Sequence, residues 1–324
     1  MRKSFSGLIS LVFASTLGAQ EKDLPDSWKK WVDKYDRGGI YEVEDTLSVN
    51  TIYGFRKVIP QSEKEGIEEM RGLVSSSELE EAWAYIPKHE LWVEVGMNER
   101  LIDSDIKSDD GNGFMQVAAI DIDKAYVEKI AKDHGPITLY HFHPEDEHGL
   151  DESGYINIQY YYNGLASSND VAAMMKHYYE IELQHEGVKI DHAVVSQFGV
   201  TTFKPNRETA QHSFEGMLEH RTVNEACASI GRQYRVEVNT WHDTIGITSP
   251  GEDFKKRVSQ RVFSLLPDPE SGITPSSSDL LDAAAFSIGA TVLEEFDPLK
   301  STCYDVTFKL HDEYTIKAIE ALEK

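Results

Sequence analysis

The segment LYHFHPEDEHGLDESGYINIQYYYNGLASSND, from Leu139 to Asp170, ends an apolar run on two histidines one residue apart and closes, far downstream, on Ser167-x-x-Asp170. Alternate residues of a strand project to the same side, so His141 and His143 can present two imidazoles to one ion without unusual backbone geometry. Zinc accepts imidazole nitrogen and carboxylate oxygen in tetrahedral sets, and a catalytic site keeps one position for water. Asp170 would complete a three-ligand set. The same segment has a plainer explanation: Ser167 caps the helix that follows, and Asp170 sits at its third position, where an acid is favoured beside exposed amides. Capping leaves the paired histidines unexplained, although a surface strand can also carry two histidines without a ligand role.

Other chemistry-bearing residues are less organised. In the intervening loop His148 and Asp151 are alternative ligands to Asp170. The EDEH and DES acids read as solvated, and Tyr160, Tyr161 and Tyr162 either pack the loop or wall a substrate. His134 beside Gly135 suits a helix end, while His177, His185 and His192 lack ligand spacing and read as surface or locally hydrogen-bonded residues. The HEG at 185–187 has no second histidine to make HExxH, and no glycine-rich phosphate loop occurs.

The elements that must position these residues follow from periodicity. ELWVEVG reads as a strand with Glu90, Trp92, Glu94 and Gly96 on one side, and FMQVAAI as a second strand after the turn-forming SDDGNG. A helix follows, with Tyr126, Val127, Ile130 and Ala131 as its apolar stripe and Gly135-Pro136 as its stop. ITLYHFH is the next strand. The helix from Ser167 repeats Val171, Met174, Met175, Tyr178 and Ile181, and HAVVS and VTTF form a hairpin around Gln197-Phe198-Gly199. This order describes an α/β domain with a mixed sheet.

Residues 206–324 restart a similar order: a helix, a strand YRVEV, helices around Phe254 to Phe263 and from Asp279, and a strand CYDVTFKL. Pro269, Ser276 and Asp279 echo Pro144, Ser167 and Asp170. The echo fits a degenerate internal repeat, and it fits equally an ordinary capped helix. Leu266 to Pro269, LPDP, stands where a copy would carry HFHP and has no imidazole. Upstream, residues 21–75 are charged and mixed, with a strand in SVNTIYGF and a helix in SEKEGIEEMRGL.

HFHP followed by Ser-x-x-Asp resembles the motif of the JAB/MPN metalloprotease family, also called JAMM. The helix before it, the amphipathic helix after Asp170, and DHAVVSQFGVTTF, similar as well to the RadC branch, extend the likeness over Glu78 to Pro205. The resemblance implies a JAB/MPN-like mixed sheet with flanking helices, Zn2+ bound by His141, His143 and Asp170, and hydrolysis of a peptide or isopeptide amide in a protein or peptide substrate. It also implies a glutamate near the beginning of an early strand that takes a proton from the attacking water. Glu90, which begins ELWVEVG, fits that position, with Glu94 on the same strand face as its competitor; Ser167 would donate a hydrogen bond to the oxyanion. Two features depart from the family. Val93 stands where a glycine is usual, and Glu145 to Ala166 form a much longer loop. Closure entropy grows slowly with loop length, so the insertion need not disturb either anchor. The alternative is a non-catalytic MPN-like binding or assembly protein, acting as a homodimer or through pairing of its two halves.

Composition bounds these readings. A formal charge of -24 over 324 residues repels phosphate backbones and argues against nucleic-acid partners. Only Cys227 and Cys303 occur, so neither a disulfide framework nor a thiolate zinc cluster is available. Residues 1–19 have the basic start, apolar middle and small residues of a secretory signal, and they are too short and interrupted for a stable membrane anchor. The expected division is a signal at 1–19, an N-terminal region of unassigned role at 20–77, a metal domain at 78–205 and a C-terminal α/β half at 206–324, with a secreted or periplasmic location if the signal is cleaved.

Overall fold

The run EAWAYI at 81–86 offers water no polar side, and it forms a strand buried on both faces inside the main sheet. The structure, a computed structural model, describes residues 58–77, 80–97, 101–107, 114–118, 121–143, 162–245, 252–267 and 271–312. The expected signal segment and SVNTIYGF lie outside the described residues.

In chain order the elements are β1 (Val58–Pro60), α1 (Glu63–Val74), β2 (Glu81–Ile86), a 3₁₀ turn (Pro87–His89), β3 (Leu91–Met97), β4 (Leu101–Lys107), β5 (Phe114–Ala118), β6 (Asp121–Ile122), α2 (Lys124–His134) and β7 (Ile137–Phe142). From residue 162 on come α3 (Ser168–Glu180), a second 3₁₀ turn (Glu182–Gln184), β8 (Ile190–Val195), β9 (Gly199–Pro205), α4 (Ala210–Leu218), α5 (Val223–Ile245), α6 (Glu252–Leu265), α7 (Ser277–Glu294), β10 (Leu299–Lys300) and β11 (Tyr304–Leu310). The main sheet runs β1-β3-β2-β7-β8-β9-β11-β10, with β6 added on β3, and β4-β5 form a separate hairpin. Within it β7 and β8 are parallel, joined by a crossover through α3, and the other pairings are antiparallel.

Alternation sorts the core into two sides. Ala82, Ala84, Leu139 and Ile190 pack with Tyr126, Val127 and Ile130 of α2 on one side of the sheet. Trp83, Tyr85, Trp92, Tyr140 and Phe142 pack with Met70 and Val74 of α1 on the other. Further along the first side, α3, α5 and α7 cover Val194, Phe203, Tyr304 and Val306.

The sheet runs through both boundaries expected from the sequence, since β1 and α1 precede residue 78 and β11 pairs with β9 from beyond residue 206. YRVEV is not a strand. It lies inside α5, where Tyr234, Val238 and Trp241 recur at helical spacing and are buried while Val236 is exposed. Described residues after 206 form four helices and one hairpin that extends the existing sheet, so they do not repeat the strand order of the first half. The Ser276–Asp279 echo is a capping box at the start of α7, with the Asp279 amide donating to Ser276 Oγ at 3.1 Å and the Ser276 amide to the carboxylate at 2.8 Å.

Two close contacts fix α3. A Cβ on Gly231 of α5 would come 2.2 Å from the Ser168 carbonyl oxygen, so only glycine lets α5 rest on the first turn of α3. On the sheet side, His177 of α3 and His192 of β8 are buried with Nδ1 and Nε2 3.4 Å apart. Burial pushes both imidazoles down, His177 to about 4 and His192 well below its ordinary range.

Replacing Gly231 with alanine should lower stability by about 1–3 kcal/mol, because backbone must move. Gly72→Ala, where an added Cβ meets nothing within 4 Å, should leave stability unchanged or raise it by up to about 1 kcal/mol. Urea midpoints of the two variants against the parent chain check the contrast.

The histidine pair predicts a pH limb. Both groups protonate more readily unfolded than folded, so their contribution is complete above about 6.5 and is lost as pH falls toward 4, at up to about 1.4 kcal/mol per pH unit for each proton taken up. Unfolding free energies between pH 7 and 4 should show this slope, and it should flatten in a His177→Gln, His192→Gln double variant; an unchanged slope would refute the assignment.

Candidate metal centre

His141 is the penultimate residue of β7, paired with Ala82 of β2 on one flank and Val194 of β8 on the other. His143 lies just past the strand, where its amide still donates to the Val195 carbonyl at 3.4 Å. The two rings have centroids 5.2 Å apart. α3 begins over this end of β7, and Asp170 stands in its first turn.

The capping explanation of Ser167 and Asp170 holds, and it does not keep the carboxylate from facing the histidines. The Asp170 amide donates to Ser167 Oγ at 3.2 Å, and the Ser167 amide donates to Asp170 Oδ2 at 2.6 Å, so the pair caps α3. The same carboxylate turns toward the histidines: Oδ1 is 3.3 Å from His141 Nε2, and Oδ2 is 3.4 Å from His143 Nε2. Among the described residues these three form the group whose ligand atoms converge, each within 4.8 Å of the others.

The donor set fits a metal ion. Two ligands about 2.0–2.1 Å from one zinc at a tetrahedral angle lie about 3.3 Å apart, close to both nitrogen–oxygen separations here. His141 Nε2 is buried and has no hydrogen-bond partner among the described residues, Asp170 lying near it at 3.3 Å. His143 is held for coordination from behind. Its Nδ1 stands 3.2 Å from the Asn163 carbonyl, which can only accept, so Nδ1 carries a proton and Nε2 is the nitrogen that could serve a metal ion. The side chains of His141, His143 and Asp170 keep 8%, 15% and 17% of their surfaces exposed, which leaves an approach for water or substrate.

Electrostatics describe the metal-free arrangement as an ion pair. Burial drives His143 toward its neutral form, but the Asp170 hydrogen bond and charge, then Glu80 and the Asn163 carbonyl, hold it up to about 9. Burial likewise opposes ionisation of Asp170, and the two histidines nevertheless hold its carboxyl well below the usual carboxylate range. A metal ion bound at His143 Nε2 would displace that proton.

The expected glutamates are elsewhere. Glu90 is an exposed residue in the left-handed region, with φ 47° and ψ 50°, closing the 3₁₀ turn before β3. The register sets Gly96 level with Ala82 and His141, so Glu90 stands about 20 Å away along the strand. Glu94 is buried, but it pairs with Trp83, which pairs with Tyr140; alternation places it on the sheet face opposite His141. Neither can serve this centre.

Sequence reasoning passed over Glu80. It lies two residues before Ala82, hence level with His143 and on the same side, and its charge acts on the His143 imidazole. The signal was available as an acid at the mouth of EAWAYI, but that run lacks the alternation that marks a half-exposed strand.

Ser167 is exposed at the helix cap, and accepting the Asp170 amide leaves its own O–H to donate. His148, Asp151, Tyr160 and Tyr161 lie outside the described residues. His185 bonds Glu128 at 2.8 Å, and His134 is the buried last residue of α2. Cys227 and Cys303 are buried free thiols. No described helix is long and apolar enough to cross a membrane. No family model, no curated protein and no solved structure matches the chain.

Proposed function

We propose that the chain is a zinc-dependent hydrolase of peptide or isopeptide amide bonds, of JAB/MPN-like type. The observation that carries this reading is the convergence of His141, His143 and Asp170 from a strand end and the next helix start, with Nε2 of each histidine turned to the carboxylate. A zinc ion held there supplies Lewis acidity, polarising a scissile carbonyl and easing deprotonation of water. The protein's own groups do the rest. Glu80, on the same side of the sheet mouth, takes a proton from the attacking water and returns it to the leaving amine. Ser167 donates a hydrogen bond to the oxyanion, while the Asn163 carbonyl keeps His143 in the right tautomer. The acidic surface directs the site toward neutral or basic polypeptide rather than nucleic acid.

Metal analysis and turnover together test the reading. The purified chain should bind about one equivalent of Zn2+, and His141→Ala or Asp170→Ala should abolish stoichiometric binding. Glu80→Gln should keep the metal and lose about 10²–10⁴-fold in hydrolysis of peptide or isopeptide substrates, while Glu90→Gln should behave as the parent chain. Stoichiometric zinc with no turnover across peptide and isopeptide substrates would favour a binding or assembly protein. Absence of zinc binding would remove the hydrolase reading altogether.

A further inference from the structure

His141 belongs to a row of side chains that crosses three strands. It pairs with Val194 of β8, and Val194 pairs with Thr201 of β9, so all three project to the same face of the sheet. Thr201 therefore stands two strand spacings, about 10 Å, from His141 on the side that carries the centre. It is fully buried. Its Oγ1 donates to the Gly164 carbonyl at 2.6 Å, and the carbonyl one residue earlier, that of Asn163, faces His143 Nδ1 at 3.2 Å.

The stretch from Tyr162 to Ala166 thus bridges β9 and the end of β7, with Leu165 buried in the core cluster that includes Val194. It forms no strand of the sheet. Three successive carbonyls in it are committed: that of Tyr162 to the Leu165 amide at 2.9 Å, that of Asn163 to His143, and that of Gly164 to Thr201. The last two belong to peptide planes joined at the Gly164 Cα. Glycine is the least restrictive joint a chain can have, so the local backbone does little to hold the Asn163 carbonyl in one direction. Clamping the next plane to the sheet removes that freedom. Valine would fill the same volume at position 201, and what threonine adds is the donor that satisfies this buried carbonyl.

Resting on the metal reading above, we propose that Thr201 is a positioning residue of the centre: its bond to the Gly164 carbonyl aims the Asn163 carbonyl at His143 Nδ1 and so presents Nε2 to the metal ion. Thr201 touches neither the ion nor a ligand. It acts through one turn of backbone on the ring orientation of His143, the kind of support on which metal affinity depends.

Three full-length variants test this. Thr201→Val keeps the shape and removes the donor, while Thr201→Ser keeps the donor and removes a methyl group. Ile130→Val trims the buried core under α2 and serves as the control for lost stability. Each is compared with the parent chain by Zn2+ competition against a chromogenic chelator, by the visible absorption of the Co2+-loaded protein, and by thermal unfolding without metal. Thr201→Val should bind Zn2+ about 10-fold more weakly with a shifted Co2+ band, whereas Thr201→Ser and Ile130→Val should stay within about twofold of the parent with its band. Parent-like affinity and an unchanged band in Thr201→Val, whatever its unfolding midpoint, would overturn the proposal, because the hydroxyl would then serve the fold alone. Equal losses of affinity in Thr201→Val and either of the other variants would overturn it as well, by tracing the effect to packing rather than to the donor. So would a Thr201→Val chain that does not fold, which would make the bond a requirement of the whole structure. If the parent chain binds neither metal, the metal reading fails and this inference with it; parent binding lost in His141→Ala but kept in Thr201→Val sinks the threonine assignment alone.

Discussion

The Asp170 carboxylate faces two ways, and the arrangement of the site depends on that. Through Ser167 it closes the capping box that starts α3, and through its two oxygens it meets two imidazoles at the end of β7. A carboxylate at a helix start is already favoured by unpaired amides and the helix dipole. Here that preference brings a helix and a strand end together around one charge. The same charge keeps His143 protonated without metal. Carboxylate and imidazolium thus offset each other's charge at the end of β7.

Topology explains why these two chain segments meet. β7 and β8 are the parallel pair, and a parallel connection must carry the chain from the end of one strand back to the start of the next. The helix that does so begins near the carboxyl end of β7, where His141 and His143 stand. Ligand sites of α/β sheets gather at such strand ends for the same reason. A long connection can be inserted there because both anchors are held independently, the strand by β2 and β8 and the helix by its cap and α5.

Local signals were well written in the sequence wherever one element determined them. The helix at 63–74, the strand ending in HFH, the capped helix after Ser167 and the hairpin at 190–205 all follow from period, cap or turn residues. The convergence of His141, His143 and Asp170 was legible for the same reason, since strand alternation aligns the histidines and capping chemistry places the acid. Glu80, the acid placed level with His143, was not, because choosing it requires knowing which strand lies beside β7. That neighbour is β2, whose EAWAYI run is buried on both faces and shows no alternation, whereas the alternating ELWVEVG stands one strand further out. YRVEV failed in the opposite way: Arg235 and Glu237 imitate strand alternation inside a helix whose longer spacing, Tyr234 to Val238 to Trp241, is the one that packs.

The C-terminal half then acquires a role that its lack of an imidazole pair would not suggest. Its described residues add none to the group at His141, His143 and Asp170, yet β11 pairs with β9 along seven residues and α5 presses on the first turn of α3 through Gly231. Metal ligands need their orientation held by residues that do not touch the ion, and the close backbone contact at Ser168 is such a support. A helix resting on a carbonyl has little freedom to slide, because its contact is backbone to backbone. Moving α5 would therefore move Ser168, and with it Asp170 two residues on. The described residues after 206 thus bear on the turn that holds the Asp170 carboxylate toward the two histidines.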